Sequence, residues 1–430
     1  MRAPGVDDAA LLQWPRRDQE LPMPDAIAHH AALDARMVAA ARGIRLLGLA
    51  SWAPQTQQRF LAAFAAGRRE MPEVVYPTLD FTEARRELAA VAAAADAQHP
   101  LGAYLVESAQ AWEVAARLLE TLGTGAVTAH AVALYGRPDA PLPGGALTTC
   151  DAARHFLQIA EAYDPALLGE ADDPTVDAAT LQAQLQGDLD GYFGTRVVEV
   201  ALDAGLIAKA AAGAYRLRLR ADARYSPHDR AQLLQHEAFV HSLTALNGRA
   251  QPVLPSLAMA APRTTATQEG LAVFAEQITG SLDIARMKRV SLRTEAIARA
   301  LDGADFLQVF DYFHAAGQAP AESFASAQRV FRGVPLGGGH AFTKDTVYLR
   351  GLIDVHTFFR QALAQRRLPL CRQLFAGKMT LDDVHRFASL FDDGTLQPPR
   401  WLPPWLARAG GLAGMLAFSL FANRIRLDRL

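Results

Sequence analysis

Cysteine is nearly absent. Cys150 and Cys371 are the only two in 430 residues, far apart and without a partner at metal-ligand spacing, so neither a disulfide framework nor a cysteine zinc site is encoded. An excess of charge of one sign is also lacking: 43 Lys and Arg against 45 Asp and Glu leave a net charge of -2. Such a chain carries no overall basic field to gather nucleic acid or an anionic membrane, and nucleic acid is not an expected partner. No apolar run reaches the roughly 20 residues of a bilayer span. The one stretch that suggests a membrane, Ala409 to Ala422, is bracketed by Arg408, Arg424 and Arg426 and reads as a buried C-terminal helix. The first 24 residues mix Asp, Glu, Arg and Pro without a sustained apolar core, which argues against a secretory signal and for a cytoplasmic protein. No Gly-x-Ser-x-Gly turn signals a serine nucleophile. The glycine-rich GVPLGGGHAFTK lacks the Lys-Ser/Thr ending of a phosphate loop.

What is there is mostly helical. Half of the residues are hydrophobic, enough for a large buried core. From Asp25 to about Gly136, Ala, Leu, Glu and Arg recur at helical spacing, and Gly136 to Ala152 reads as a loop rich in Pro and Gly. Between Val197 and Arg220 the pattern changes to that of strands. There Tyr215, Leu217 and Leu219 are expected to face the core, with Arg216, Arg218 and Arg220 on a solvated face or on a cationic edge that takes an acidic peptide by strand addition. The division expected is a flexible segment 1–24, a helical subdomain 25–150, and a second subdomain 151–430 that ends in the buried helix.

The chemistry concentrates in two neighbouring helices. Ser226 can cap the first, with Pro227 at its first position and Asp229 completing a capping box, and Asn247-Gly248 should end it. Within it stand His236, Glu237 and His241. Histidines five apart in a regular α-helix point about 140° away from each other. Either they are unrelated, or a single π-bulge between Glu237 and His241 returns both rings to one face, a distortion that concentrates at functional sites. The next helix places Glu269 in its first turn if Thr267 is the cap, where the helix N-terminus favours an ionised carboxylate. Two histidines and a glutamate form a catalytic zinc set with one position open for water. Glu276, on the same face, either orients a ligand or is solvated.

Four segments, HEAFVH, LNGRAQP (246–252), QEGLA (268–272) and RVFRGVPLGGGHAFTKDTVYLRG (329–351), resemble the QEGLA-motif family. Its bacterial members are labelled flavohemoglobin expression-modulating, and it is similar to the microtubule-associated tyrosine carboxypeptidases. The resemblance covers most of the chain after about Asp25. It implies that HExxxH is the zinc motif and that the EGLA glutamate is the third ligand, hence His236, His241 and Glu269 around one Zn2+. Family members often carry Gly-Thr before the second histidine. Phe239-Val240 stands there instead, which implies a narrower site or an altered choice of substrate.

The fold expected is α+β, mainly helical, with a zincin-like metallopeptidase core and a small sheet beside the HExxxH helix. The function expected is that of a zinc metallopeptidase that trims a peptide or protein C-terminus, with Glu237 as general base. Tyr348 is the candidate oxyanion donor or, alternatively, an ordinary core tyrosine. Arg329, Arg332 and Lys344 are candidates for the substrate's terminal carboxylate, and Lys344-Asp345 could form a local ion pair. The rival expectation is a regulatory protein that keeps a structural zinc.

Overall fold

A computed structural model of the chain describes residues 25–162, 175–206 and 208–422; the expected flexible segment 1–24 lies outside them. The described residues are mainly helical with two small sheets. The helices used below are α1 Asp25–Ala41, α2 Thr82–Ala94, α3 Pro100–Glu120, α4 Thr149–Ala162, α5 (227–249), α6 Thr265–Ile278, α7 Ile284–Leu301, α8 Pro320–Val330, α9 Thr346–Ala364 and α10 Ala409–Ala422. Buried apolar residues from Leu33 in α1 to Leu416 in α10 make one cluster, to which α5, α6 and α9 each contribute.

In chain order the strands are β1 Val176–Asp177, β2 Glu199–Asp203, β3 Ala210–Ala212, β4 Arg216–Arg220 and β5 Arg224–Tyr225. β1 pairs with β5, while the three-stranded sheet has the order β2-β4-β3, parallel on one side of β4 and antiparallel on the other. Leu217 and Leu219 are buried as their alternation requires. Tyr215 is not: it lies just before β4, 54 % exposed, with the Arg249 guanidinium over its ring. Arg216 and Arg218 stand on the solvated face, and the alternative of a cationic edge is not found among the described residues. β4 is the central strand, so its backbone is paired on both sides, and Arg216 and Arg218 are ion-paired with Glu199 and Asp203. The sheet lies against α5, where the Ser242 hydroxyl donates to the Gly213 carbonyl at 2.8 Å.

α5 begins as its sequence requires. Ser226 and Asp229 form the capping box and Pro227 is the first helical residue. The widening is larger than one bulge: all nine residues Leu234–Ser242 are π-helical before α-helix resumes at Leu243. A π-turn repeats every five residues in its hydrogen bonding, so positions five apart stack, and the His236 and His241 rings stand 4.9 Å apart. Phe239 and Val240 are buried, and Phe239 packs on Tyr192 and Phe193. The bulk of Phe239 therefore fills core.

α6 lies along α9 at a crossing with no room for side chains. A Cβ on Gly270 would lie 2.2 Å from the Gly351 carbonyl carbon, and one on Gly351 would lie 2.2 Å from the Ala266 oxygen. Two glycines let the backbones touch, which brings Glu269 of α6 close to the start of α9. The QEGLA glutamine serves the other side, where Thr244 of α5 donates to Gln268 at 3.0 Å.

α10 departs from expectation. Leu412 and Leu416, one turn apart, are buried, but Met415, Phe418 and Phe421 are 52 %, 72 % and 62 % exposed. The helix is apolar all round, yet only one stripe meets the body of the protein. No helix among the described residues is long and apolar enough to cross a membrane.

Candidate metal centre

His236, His241 and Glu269 each offer a ligand atom, and the three atoms lie within 4.8 Å of one another. Nε2 of His236 is 3.4 Å and Nε2 of His241 is 3.6 Å from Oε2 of Glu269. Donors held about 2.0–2.2 Å from a tetrahedral zinc stand about 3.3–3.5 Å apart. The chemistry and the spacing of this set both fit such an ion.

Glu269 arrives there differently from its expected route. Thr267 is not the cap: the short 3₁₀ turn Pro262–Thr264 runs straight into α6, which starts at Thr265 without a side-chain cap. Glu269 is thus past the first turn, and the helix terminus is not its main support. Burial works to raise its pKa. Lys344, donating from Nζ at 3.0 Å, overcomes that together with the two histidines and holds the carboxyl well below its usual range. The expected pairing of Lys344 with Asp345 is replaced by this one.

Behind the ligands lies a buried network. Glu276 is fully buried and accepts from His236 Nδ1 at 2.6 Å, from Gln232 at 2.8 Å and from Arg286 at 3.2 Å. The bond from His236 fixes that ring with Nε2 towards Glu269, the arrangement that outer carboxylates give metal-bound histidines. Burial would lower the His236 pKa, but Glu269 and Glu276 raise it to about 10. A cation placed among these donors would compete with that proton. Burial would raise the Glu276 pKa, yet Arg286 and His236 hold it at about 2.

Glu237, beside His236, is half-buried and makes no hydrogen bond or ion pair among the described residues. Tyr348 is buried in the first turn of α9 with the Lys344 ammonium 5.1 Å from its ring centre. Arg329 grips Asp345 with both arms of its guanidinium, at 2.5 and 2.8 Å, and has Tyr348 among its electrostatic neighbours. Arg332 is next to these groups, but its buried Nε has no partner. The structure therefore gathers His236, Glu237, His241, Glu269, Lys344 and Tyr348, with Arg329 and Arg332 near Tyr348.

Four basic residues escaped the sequence reading. Arg286 and Arg293, seven apart on α7, face Glu276 and Asp345. Arginines recurring at core spacing along a helix were the available signal. Arg293, like Arg332, is pushed down to about 10 by burial and by the neighbouring Arg329. Lys378, 6 % exposed, lies near Glu269 and Glu237; nothing in its local pattern announced it. Arg263 forms a separate buried pair with Asp383, bidentate at 2.7 and 3.1 Å, away from the ligands.

A buried His-His-Glu cluster with an unengaged glutamate beside it defines the class: a candidate single-metal centre of the metallopeptidase kind. The chain belongs to the family described as microtubule-associated tyrosine carboxypeptidase, which matches residues 58–424. It is thereby an enzyme of a carboxypeptidase family. Among curated proteins no match is found.

Proposed function

We propose that the chain is a zinc-dependent metallocarboxypeptidase with a zincin-like core, which removes a C-terminal residue from a peptide or protein in the cytoplasm. The observation that carries this reading is the convergence of His236, His241 and Glu269 at zinc-donor spacing with Glu237 free beside them. When bound, zinc lowers the pKa of water towards ~7 and polarises the scissile carbonyl. Glu237 accepts a proton from the attacking water as its oxygen bonds to the carbonyl carbon. It returns the proton to the amine nitrogen as the C–N bond breaks, so water is consumed and two chain ends are released. Tyr348 donates to the oxygen that becomes negative. Glu276 keeps His236 in place. Arg329, Arg332 and Lys344 supply a positive field for the substrate's terminal carboxylate, while Arg329 and Lys344 also position Asp345 and Glu269.

The family's description supplies tyrosine as the first terminal residue to test. The deciding experiment is Glu237→Gln, followed by mass spectrometry of a peptide library and by metal analysis. Hydrolysis should fall by about 10²–10⁴-fold with one zinc per chain retained, and a chelator should abolish the activity of the unmodified protein. Equal activity of the variant and the parent would refute the reading.

A further inference from the structure

Hydrolysis assisted by Glu237 leaves the ammonium of Lys378 without a use. Lys378 lies in a run of consecutively buried residues, 374–379. Its backbone is held firmly: Lys378 N donates to the Leu257 carbonyl at 2.7 Å, Asn247 Nδ2 to the Phe375 carbonyl at 2.8 Å, and Gln251 Nε2 to the Ala376 carbonyl at 3.0 Å. A Cβ on Gly377 would fall 2.7 Å from Leu257 Cβ, so glycine is what lets the segment run this close. The LNGRAQP stretch, which provides no metal ligand, is thus the clamp that sets Lys378.

The side chain is near Glu269 and Glu237 but forms no hydrogen bond or ion pair among the described residues. Lys344 differs, because its ammonium is engaged by Glu269. Keeping an ammonium without a protein partner in a residue only 6 % exposed is costly, and burial draws the Lys378 pKa down to about 8; a fold that does so beside a reaction centre holds that charge for a group that arrives with the substrate. A peptide brings one permanent charge to a carboxypeptidase, the carboxylate one carbon away from the scissile nitrogen. Glu237 serves that nitrogen, so a cation beside Glu237 is also beside the carboxylate. The electrostatic neighbours of Arg329 and Arg332 are instead Asp345 and Tyr348.

We propose that Lys378 is the group that contacts the free C-terminal carboxylate, and hence the residue that confines cleavage to the chain end. This rests on the carboxypeptidase reading above. Its test is separable from that reading because it is measured by binding. Full-length, zinc-loaded Glu237→Gln protein is titrated into two fluorescent peptides that end in tyrosine, identical except for a free or an amidated terminus. The free terminus should bind more tightly by about 10–100-fold, the range for a hydrogen bond to a charged group. Adding Lys378→Met should erase that preference with zinc content unchanged, and adding Lys378→Arg should keep it. In the hydrolytic protein, Lys378→Met should raise KM with little change in kcat.

A preference that survives Lys378→Met, or zinc lost with it, overturns the proposal. So does a fall in kcat at constant KM, which would assign the ammonium to the oxyanion. If the methionine variant does not fold, Lys378→Gln replaces it with the same expected loss. Failure of the unmodified protein to hydrolyse any peptide would refute the catalytic reading, while the binding preference would still decide the role of Lys378.

Discussion

Two buried carboxylates in this protein have been driven in opposite directions. Asp34 of α1 and Glu276 of α6 are both fully buried. Asp34 accepts from the Ser256 backbone N–H at 3.0 Å, and its other oxygen has no partner. Burial dominates there and pushes its pKa up to about 6. Glu276 is surrounded by Arg286, His236 and Gln232, and its pKa goes down to about 2. Burial alone makes a carboxyl neutral, and only cations delivered by other elements reverse it. The metal centre has those cations and the surroundings of Asp34 do not, which is how Glu269, Glu276 and Asp345 stay ionised.

The contrast breaks most completely at the ligand itself. Glu269→Ala should leave no zinc in the purified protein by metal analysis, since it removes the oxygen that meets both histidines and strands Lys344. Unchanged zinc content would defeat the assignment of the ligand set.

Next in size is Glu276→Gln, which turns the site's best-paired carboxylate into a neutral amide. Zinc affinity should fall by about 10–100-fold through loss of the His236 tether, as read by competition with a chromogenic chelator. Stability should fall by about 3–5 kcal/mol, because Arg286 is left as a buried charge without its partner. The sign with pH follows from the lowered pKa: the contribution of Glu276 is present above the unfolded value near 4 and is lost as pH falls towards 2.

The smallest effect has the opposite sign. Asp34 has a raised folded pKa, so its contribution is most favourable below about pH 4 and declines as pH rises through about 6. At neutral pH this costs about 2–3 kcal/mol. Asp34→Asn should therefore match the parent at pH 4 and exceed it by up to about 2 kcal/mol at pH 7.5, measured by urea unfolding at each pH. A variant that gains nothing at pH 7.5 would remove Asp34 as the counterexample.

Much of the site was legible because its chemistry is local. The His236, Glu237 and His241 spacing, the capping box at Ser226 and the resemblance carried by QEGLA are all contained in short segments. The errors share a cause. The extent of the π-helix, the start of α6 at Thr265, the exposure of Tyr215 and the half-bare face of α10 each depend on what the segment packs against. Periodicity says which residues can form a face. It does not say whether anything covers that face.

The amino-acid order alone settled the donor types, the helices that carry them and the mainly helical class, since each follows from neighbours within a few residues. Convergence was decided by the tertiary structure: Lys344 on Glu269, Arg286 on Glu276, Arg329 on Asp345 and Lys378 beside Glu237 join residues between 10 and 141 positions apart. Charge interactions weaken with distance in space, and distance along the chain does not reveal which of many arginines and lysines will come close.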